Sequence, residues 1–192
     1  MKTTPLPGLR SIAATAALAG VLAAAAPAIG QMPAGVATDP SGKVMMKQAL
    51  PKSDAEFFEK AAISGMTEVQ AGQLAQQKSS DPTIKQFGAT LVSDHSKAAS
   101  ELQALATAKG VTLPTSVDAE HQKMLDKLQQ ASGKDFDDEF SDDMHAGHEK
   151  AVALFQQTAR SSKDPDVKAF AVKTLPVLQS HEAIAKKLDD RH

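Results

Sequence analysis

The stretch spanning residues 81–105, DPTIKQFGATLVSDHSKAASELQAL, admits few folds. Asp81 can cap a helix start, and Pro82 suits the first helical position, where an N–H has no partner in any case. Ile84, Phe87, Leu91, His95, Ala98, Leu102 and Leu105 then recur at steps of three and four. That spacing is one face of an α-helix, so the stretch must lie half-buried against other helices. His95 sits inside the apolar stripe. A buried imidazole needs a partner, and no residue on the same stripe supplies one.

The same grammar recurs along the chain. Residues 53–78 read as a first helix, opening on Ser53-Asp54-Ala55-Glu56, the pattern of a capping box. One face carries Phe57, Ala61, Gly65, Glu68, Gly72 and Ala75, and the neighbouring face adds Phe58, Ala62, Met66 and Val69. Small residues flanking Glu68 let another helix approach, so Glu68 is expected to point inward; the alternative is a boundary Glu whose head reaches water. Gly110 is expected to end the second helix. A shorter helix over 116–131 carries Val117, Met124, Leu125 and Leu128, with Gly133 closing it. Residues 135–161 give the stripe Phe136, Phe140, Met144, His148, Ala151 and Phe155, with acids in the first turn favouring the positive end of the helix dipole. The last helix opens on Asp164-Pro165 and buries Val167, Phe170, Ala171, Thr174, Leu178, His181, Ala185 and Leu188; Pro176 is expected to kink it.

Two of these hairpins resemble each other. LAQQKSSDPTIKQF (74–87) matches LFQQTARSSKDPDVKAF (154–170) with a turn three residues longer. Aligning the glutamine pairs sets Glu68 opposite His148, and His95 opposite His181 to within one turn. With a rise of about 1.5 Å per residue, Glu68 and His95 both lie roughly 20 Å from their turn, and His148 and His181 roughly 25 Å from theirs. Packed together, two such hairpins bring the four residues to one layer.

Composition narrows the chemistry. Among 192 residues there is no cysteine, which excludes disulfides, thiolate metal sites and a cysteine nucleophile. Lys2 and Arg10 precede a small, apolar run from Ser11 to Ala26 that ends in Ala26-Pro27-Ala28. This is the form of a signal peptide, residues 1–28, cut after Ala28; the alternative is an uncleaved anchor. The expected localisation is the periplasm or the extracellular space. Without Lys2 and Arg10, 19 basic residues face 23 acidic ones. No basic footprint or aromatic platform for nucleic acid exists, and no later segment has the length of a membrane span. Residues 29–52, punctuated by Pro33, Gly35, Pro40, Gly42 and Pro51, read as a disordered linker. Met45 and Met46 within it suit a tethering tail, or a soft metal ion. No phosphate loop, nucleophile elbow or dinucleotide fingerprint is present.

The segments DAEFFEKAAISGMTEVQ, DPTIKQFGATLVSDHSKA, KDFDDEFSDDMHAGHEKAV and DPDVKAFAVKTLPVLQSHEAIA together resemble the ferritin-like family catalogued as domain of unknown function 4142, also labelled "predicted outer membrane protein". The resemblance implies an exported, all-α, ferritin-like four-helix bundle over residues 53–190, with a short extra helix between the two hairpins. It implies no established activity, and nothing in this helical sequence signals a barrel.

Di-iron bundles place one Glu on each of two helices and Glu-x-x-His on each of the others. Here Val92 and Leu178 stand three residues before His95 and His181, so the bridging carboxylates are missing. What remains is a mononuclear set, Glu68, His95, His148 and His181, suited to one transition-metal ion such as Fe, Zn, Mn or Cu. Asp94 and Glu182 adjoin the histidines and could brace them. His145 and Glu149, with Asp142 a turn behind, offer a surface site or a merely solvated acidic face. The competing reading of the central set is a polar layer that fixes bundle register. Two functions follow. One is a non-catalytic envelope protein that binds a metal or a protein partner and serves stress tolerance; the other is a metal-dependent oxidase or peroxidase.

Overall fold

The computed structural model describes residues 37–38, 44–45 and 50–191. The signal-peptide segment and most of the expected linker lie outside these residues. Within the linker, two dipeptides pair as an antiparallel ladder, β1 (Ala37–Thr38) with β2 (Val44–Met45). These four residues belong to a separate N-terminal unit, and everything below concerns the second unit, which begins at residue 48.

That unit is wholly helical among its described residues: α1 (Lys52–Lys78), α2 (Pro82–Lys109), α3 (Ala119–Gln130), α4 (Gly133–Ser161) and α5 (Pro165–Asp189). The all-α bundle of two hairpins with a short extra helix between them stands as read from the sequence. Helices α1 and α2 form one antiparallel hairpin and α4 and α5 the other; α1 packs on α4, and α2 on α5. Because α2 and α4 run the same way, the connection between hairpins must travel the length of the bundle. Residues 110–118 and α3 make that crossing, and Leu125 and Leu128 of α3 join the core beside Phe136.

Each hairpin turn is built alike. The Asp81 side chain accepts from the N–H groups of Thr83 and Ile84, and Asp164 from those of Asp166 and Val167. Buried turn serines, Ser79 and Ser162, accept from the N–H groups of Asp81 and Asp164. The two caps are also clamped reciprocally: Arg191 beyond α5 reaches Asp81 at 3.1 Å, and Lys109 at the end of α2 reaches Asp164 at 2.7 Å. The internal repeat of the sequence is thus a pseudo-twofold of the fold. Gly110 closes α2 with φ 71°, where a glycine avoids the left-handed penalty.

Three local expectations are corrected. The capping box at Ser53 does not form: α1 starts at Lys52 after Pro51, with no side-chain cap. Its Asp54 is instead buried and accepts from Ser162 Oγ at 2.9 Å, tying the start of α1 to the far turn. The short helix begins at Ala119, three residues later than its apolar pattern, because Asp118 provides the cap by accepting from His121 N–H. Gly133 does not close that helix; it opens α4, and Ala131 is the cap. Pro176 lies inside a continuous α5.

The core is in two halves. One gathers Ile84, Phe87, Leu91, Phe136, Phe140 and Leu188. The other gathers Phe57, Phe58, Leu102, Phe155, Phe170 and Leu178. In all four long helices the polar residue of the stripe falls between the two. Close packing of α1 on α2 is set by glycine: a Cβ built on Gly72 would meet the Gly88 carbonyl oxygen at 2.6 Å.

Candidate metal centre

Glu68 on α1, His95 on α2, His148 on α4 and His181 on α5 form the layer between the core halves, with exposures of 3%, 6%, 0% and 2%. The imidazoles are mutually close. Ring centroids are 5.8 Å apart for His95–His148, 5.3 Å for His95–His181 and 5.3 Å for His148–His181. Each histidine offers one ring nitrogen such that the three nitrogens lie within 4.8 Å of one another. No other such group of metal-ligating side chains occurs among the described residues. Glu68 stands beside this group rather than in it.

The hydrogen bonds fix which nitrogens are committed. His148 Nδ1 is 2.8 Å from the Met144 carbonyl oxygen, which can only accept, so Nδ1 carries the proton. Its Nε2 is buried without a partner. His181 Nε2 donates in the same way to Asp94 Oδ2 at 3.0 Å, leaving Nδ1 buried and unpaired. A ligating histidine is held like this when its second nitrogen donates to a carbonyl or carboxylate. His95 Nε2 lies 2.9 Å from Glu68 Oε2, the distance of an ion pair. The other carboxylate oxygen, Oε1, accepts from Ser64 Oγ at 3.1 Å. His148 Nε2 and His181 Nδ1 are therefore buried, polar and unpaired, a state that costs about 1–3 kcal/mol per group, while His95 Nε2 and Glu68 Oε2 face each other.

Charge in the layer is polarised. Burial pushes the Glu68 carboxyl up, but the charges of His95 and His148, with the Ser64 bond, outweigh it and hold its pKa at about 2. Burial lowers His95, yet Glu68 more than reverses this and raises it. His181 is pushed down to about 4 by burial and by the charges of His95 and His148, against the opposing pull of Asp94. The metal-free layer thus holds a Glu68–His95 ion pair beside a neutral His181.

The layer is shut on one side and open on the other. Phe87 packs on the first side, tilted against His148 at 6.3 Å and edge-on to His181 at 6.0 Å between ring centroids. On the second side a cavity of about 160 Å³ reaches Glu68 and His95. Its walls are mostly small or apolar, including Ala61, Ala62, Gly65, Ala98, Leu102 and Phe155.

Asp94, expected to brace a histidine, does bond His181, across helices rather than along its own. His145 pairs through Nδ1 with Asp189 Oδ2 at 2.6 Å, and its Nε2 is 3.7 Å from Glu149. Asp142 bonds Asp189 and is raised by that contact. Asp189 was not among the residues the pattern singled out, since it lies on α5, 44 positions from His145. Glu182 is half-buried on α5, next to His181. Ser64 could have been found as the residue one helical turn before Glu68.

A family model described as Domain of unknown function (DUF4142) matches residues 39–188. This chain belongs to that family. No curated protein sequence matches it. A DUF305 fragment from Deinococcus radiodurans shares the fold of this DUF4142 member with a TM-score of 0.65 at 12% identity, covering 76% of this chain and all of that one. CopM in its Cu(II)-bound form aligns with a TM-score of 0.62 at 19% identity, covering 72% of this chain and 96% of its own. Its Ag-bound form aligns at 0.60 with 18% identity over the same shares. Among the described residues no helix is long and apolar enough to cross a membrane.

Proposed function

We propose that this protein is an exported, non-catalytic metal-binding protein whose layer of His95, His148 and His181 holds one transition-metal ion. The observation that carries the reading is a set of three buried ring nitrogens within 4.8 Å of one another, with His148 Nε2 and His181 Nδ1 unpaired and His95 facing only Glu68. A structural polar layer would pair these nitrogens with one another or with carbonyls. Here Met144 and Asp94 engage only the far nitrogen of His148 and His181. Nitrogens sharing one ion at about 2.0–2.1 Å sit roughly 3.3 Å apart, so rotations that draw the group in by an ångström or so complete the site. Glu68 supplies the counter-charge, and binding displaces the proton of His95, so affinity rises with pH.

Among divalent ions, an imidazole-rich site favours copper by the general affinity order. The shared fold of CopM, crystallised with Cu(II) and with Ag, agrees with that choice. Against an oxidase reading, the layer carries one carboxylate, and Val92 and Leu178 occupy the positions where bridging glutamates belong.

Copper titration with thermal melting tests the proposal. One equivalent should bind, and at a free concentration of 100 times Kd the folded state gains about 2.7 kcal/mol. For a domain of this size that is a rise of about 5–10 °C in Tm. His148→Ala and His181→Ala should lose the response. An equal response in wild type and both variants, or none in wild type with Cu(II), Zn(II), Fe(II) or Mn(II), refutes it.

A further inference from the structure

We propose that the ion in this layer keeps one coordination position turned toward the cavity, where a small donor ligand binds: an anion or nitrogen heterocycle of up to about six non-hydrogen atoms. The inference rests on the metal reading above and adds a second ligand to it. Three histidines leave at least one position of a tetrahedral ion unfilled, the arrangement that distinguishes open sites from closed structural ones. The direction of that position follows from the surroundings. Phe87 covers the layer beside His148 and His181, whereas the cavity borders Glu68 and His95. Glu68 Oε2 faces His95 Nε2 at 2.9 Å and lies outside the three-nitrogen group, so in this arrangement its carboxylate serves as the partner of His95 at the flank of the position.

The cavity sets the size of the guest. Its volume of about 160 Å³ is close to that of an engineered apolar cavity, roughly 150 Å³, that admits benzene. Its walls offer few polar partners, so selection falls on one donor atom directed at the ion and a compact, weakly hydrated body behind it. Gly65 keeps the space open: a Cβ placed there meets nothing within 4 Å.

The test uses the purified protein loaded with one equivalent of Cu(II), with azide as the probe. Wild type should show a saturable azide-to-copper charge-transfer band. Gly65→Leu, which fills the cavity from a helix position with room for it, should keep copper stoichiometry and lower azide affinity at least tenfold. Ala98→Leu, on the opposite wall, should do the same and stands in if the first variant does not fold. A copper-loaded wild type without an azide band overturns the inference and leaves the metal reading intact. So does undiminished azide binding in both filled variants. An azide band that appears only in Glu68→Gln shows that Glu68 itself occupies the position, and also overturns it. Failure of wild type to bind copper removes the metal reading and this inference together.

Discussion

Acid should loosen the metal-free protein through His181, and the effect can be separated from those of its neighbours. A histidine titrating at 6.5 when unfolded and at about 4 when folded carries fewer protons in the native state. Stability is therefore complete above pH 6.5 and falls as pH drops toward 4. Between pH 6.5 and 5, ideal linkage gives a loss of roughly 1.5 kcal/mol. His95, one source of the lowering, borders the cavity, so solvent screening trims this to about 1 kcal/mol. His95 has the opposite sign, since its pKa is raised: its contribution is complete below pH 6.5 and is lost only above. Glu68, lowered to about 2, acts below its unfolded value of 4.5. Asp143 is raised to about 6 by burial and by Glu139, and so gains stability as pH falls through this window. Asp143→Asn removes that opposing term. Urea unfolding with chelator, in the Asp143→Asn background, should show a midpoint about 0.5 M lower at pH 5 than at pH 6.5, for a slope of about 2 kcal/mol/M. In Asp143→Asn/His181→Gln the difference should vanish. An unchanged difference in the double variant refutes the assignment to His181.

Two further outcomes are expected beside the copper and azide experiments. Gly72→Ala forces a Cβ to 2.6 Å from the Gly88 carbonyl and should cost about 1–3 kcal/mol, while Gly65→Ala meets nothing and should gain up to about 1 kcal/mol from helix propensity; urea midpoints that move in the same direction contradict the packing argument. Cleavage after Ala28 should leave Ile29 as the N-terminus of the exported protein, which N-terminal sequencing reads directly; a retained Met1 overturns the export reading.

What the sequence made legible was whatever a single helix determines. The stripes of α2, α4 and α5 placed their buried residues correctly because burial follows a 3.6-residue period. The levels of Glu68, His95, His148 and His181 followed from counting along helices of fixed rise. What it left hidden depends on how helices face one another. Asp94 and His95 diverge by about 100° on α2, so nothing local says that Asp94 turns to α5 and takes the second nitrogen of His181. Asp54 reads as part of a capping box, but burial against α4 offers it Ser162, and a buried carboxylate takes the partner that packing brings. The cavity was illegible for a related reason: Ala61 and Gly65 read as small residues for close contact, and Ala98 as part of the apolar stripe. Gly72 is used that way. Two and three turns further from the α1–α2 turn, the same kind of small residues, Gly65 and Ala61, border a void.

That contrast bears on why the layer lies where it does. A bundle of this length could have one continuous apolar core. This one interrupts it midway with an ion pair and two half-satisfied rings, each a desolvation cost that hydrophobic residues of similar volume would avoid. Register alone is a weak reason, because the clamps Lys109–Asp164 and Arg191–Asp81 at opposite ends, together with the Ser162–Asp54 bond, already fix how the hairpins align. The polar layer is best explained by something it receives. Its free nitrogens converge, the far sides of His148 and His181 are anchored by Met144 and Asp94, and a void opens on Glu68 and His95. Binding of an ion would satisfy at once the His148 and His181 nitrogens that the fold leaves unpaired, which places the stability of the layer and its function in the same set of bonds.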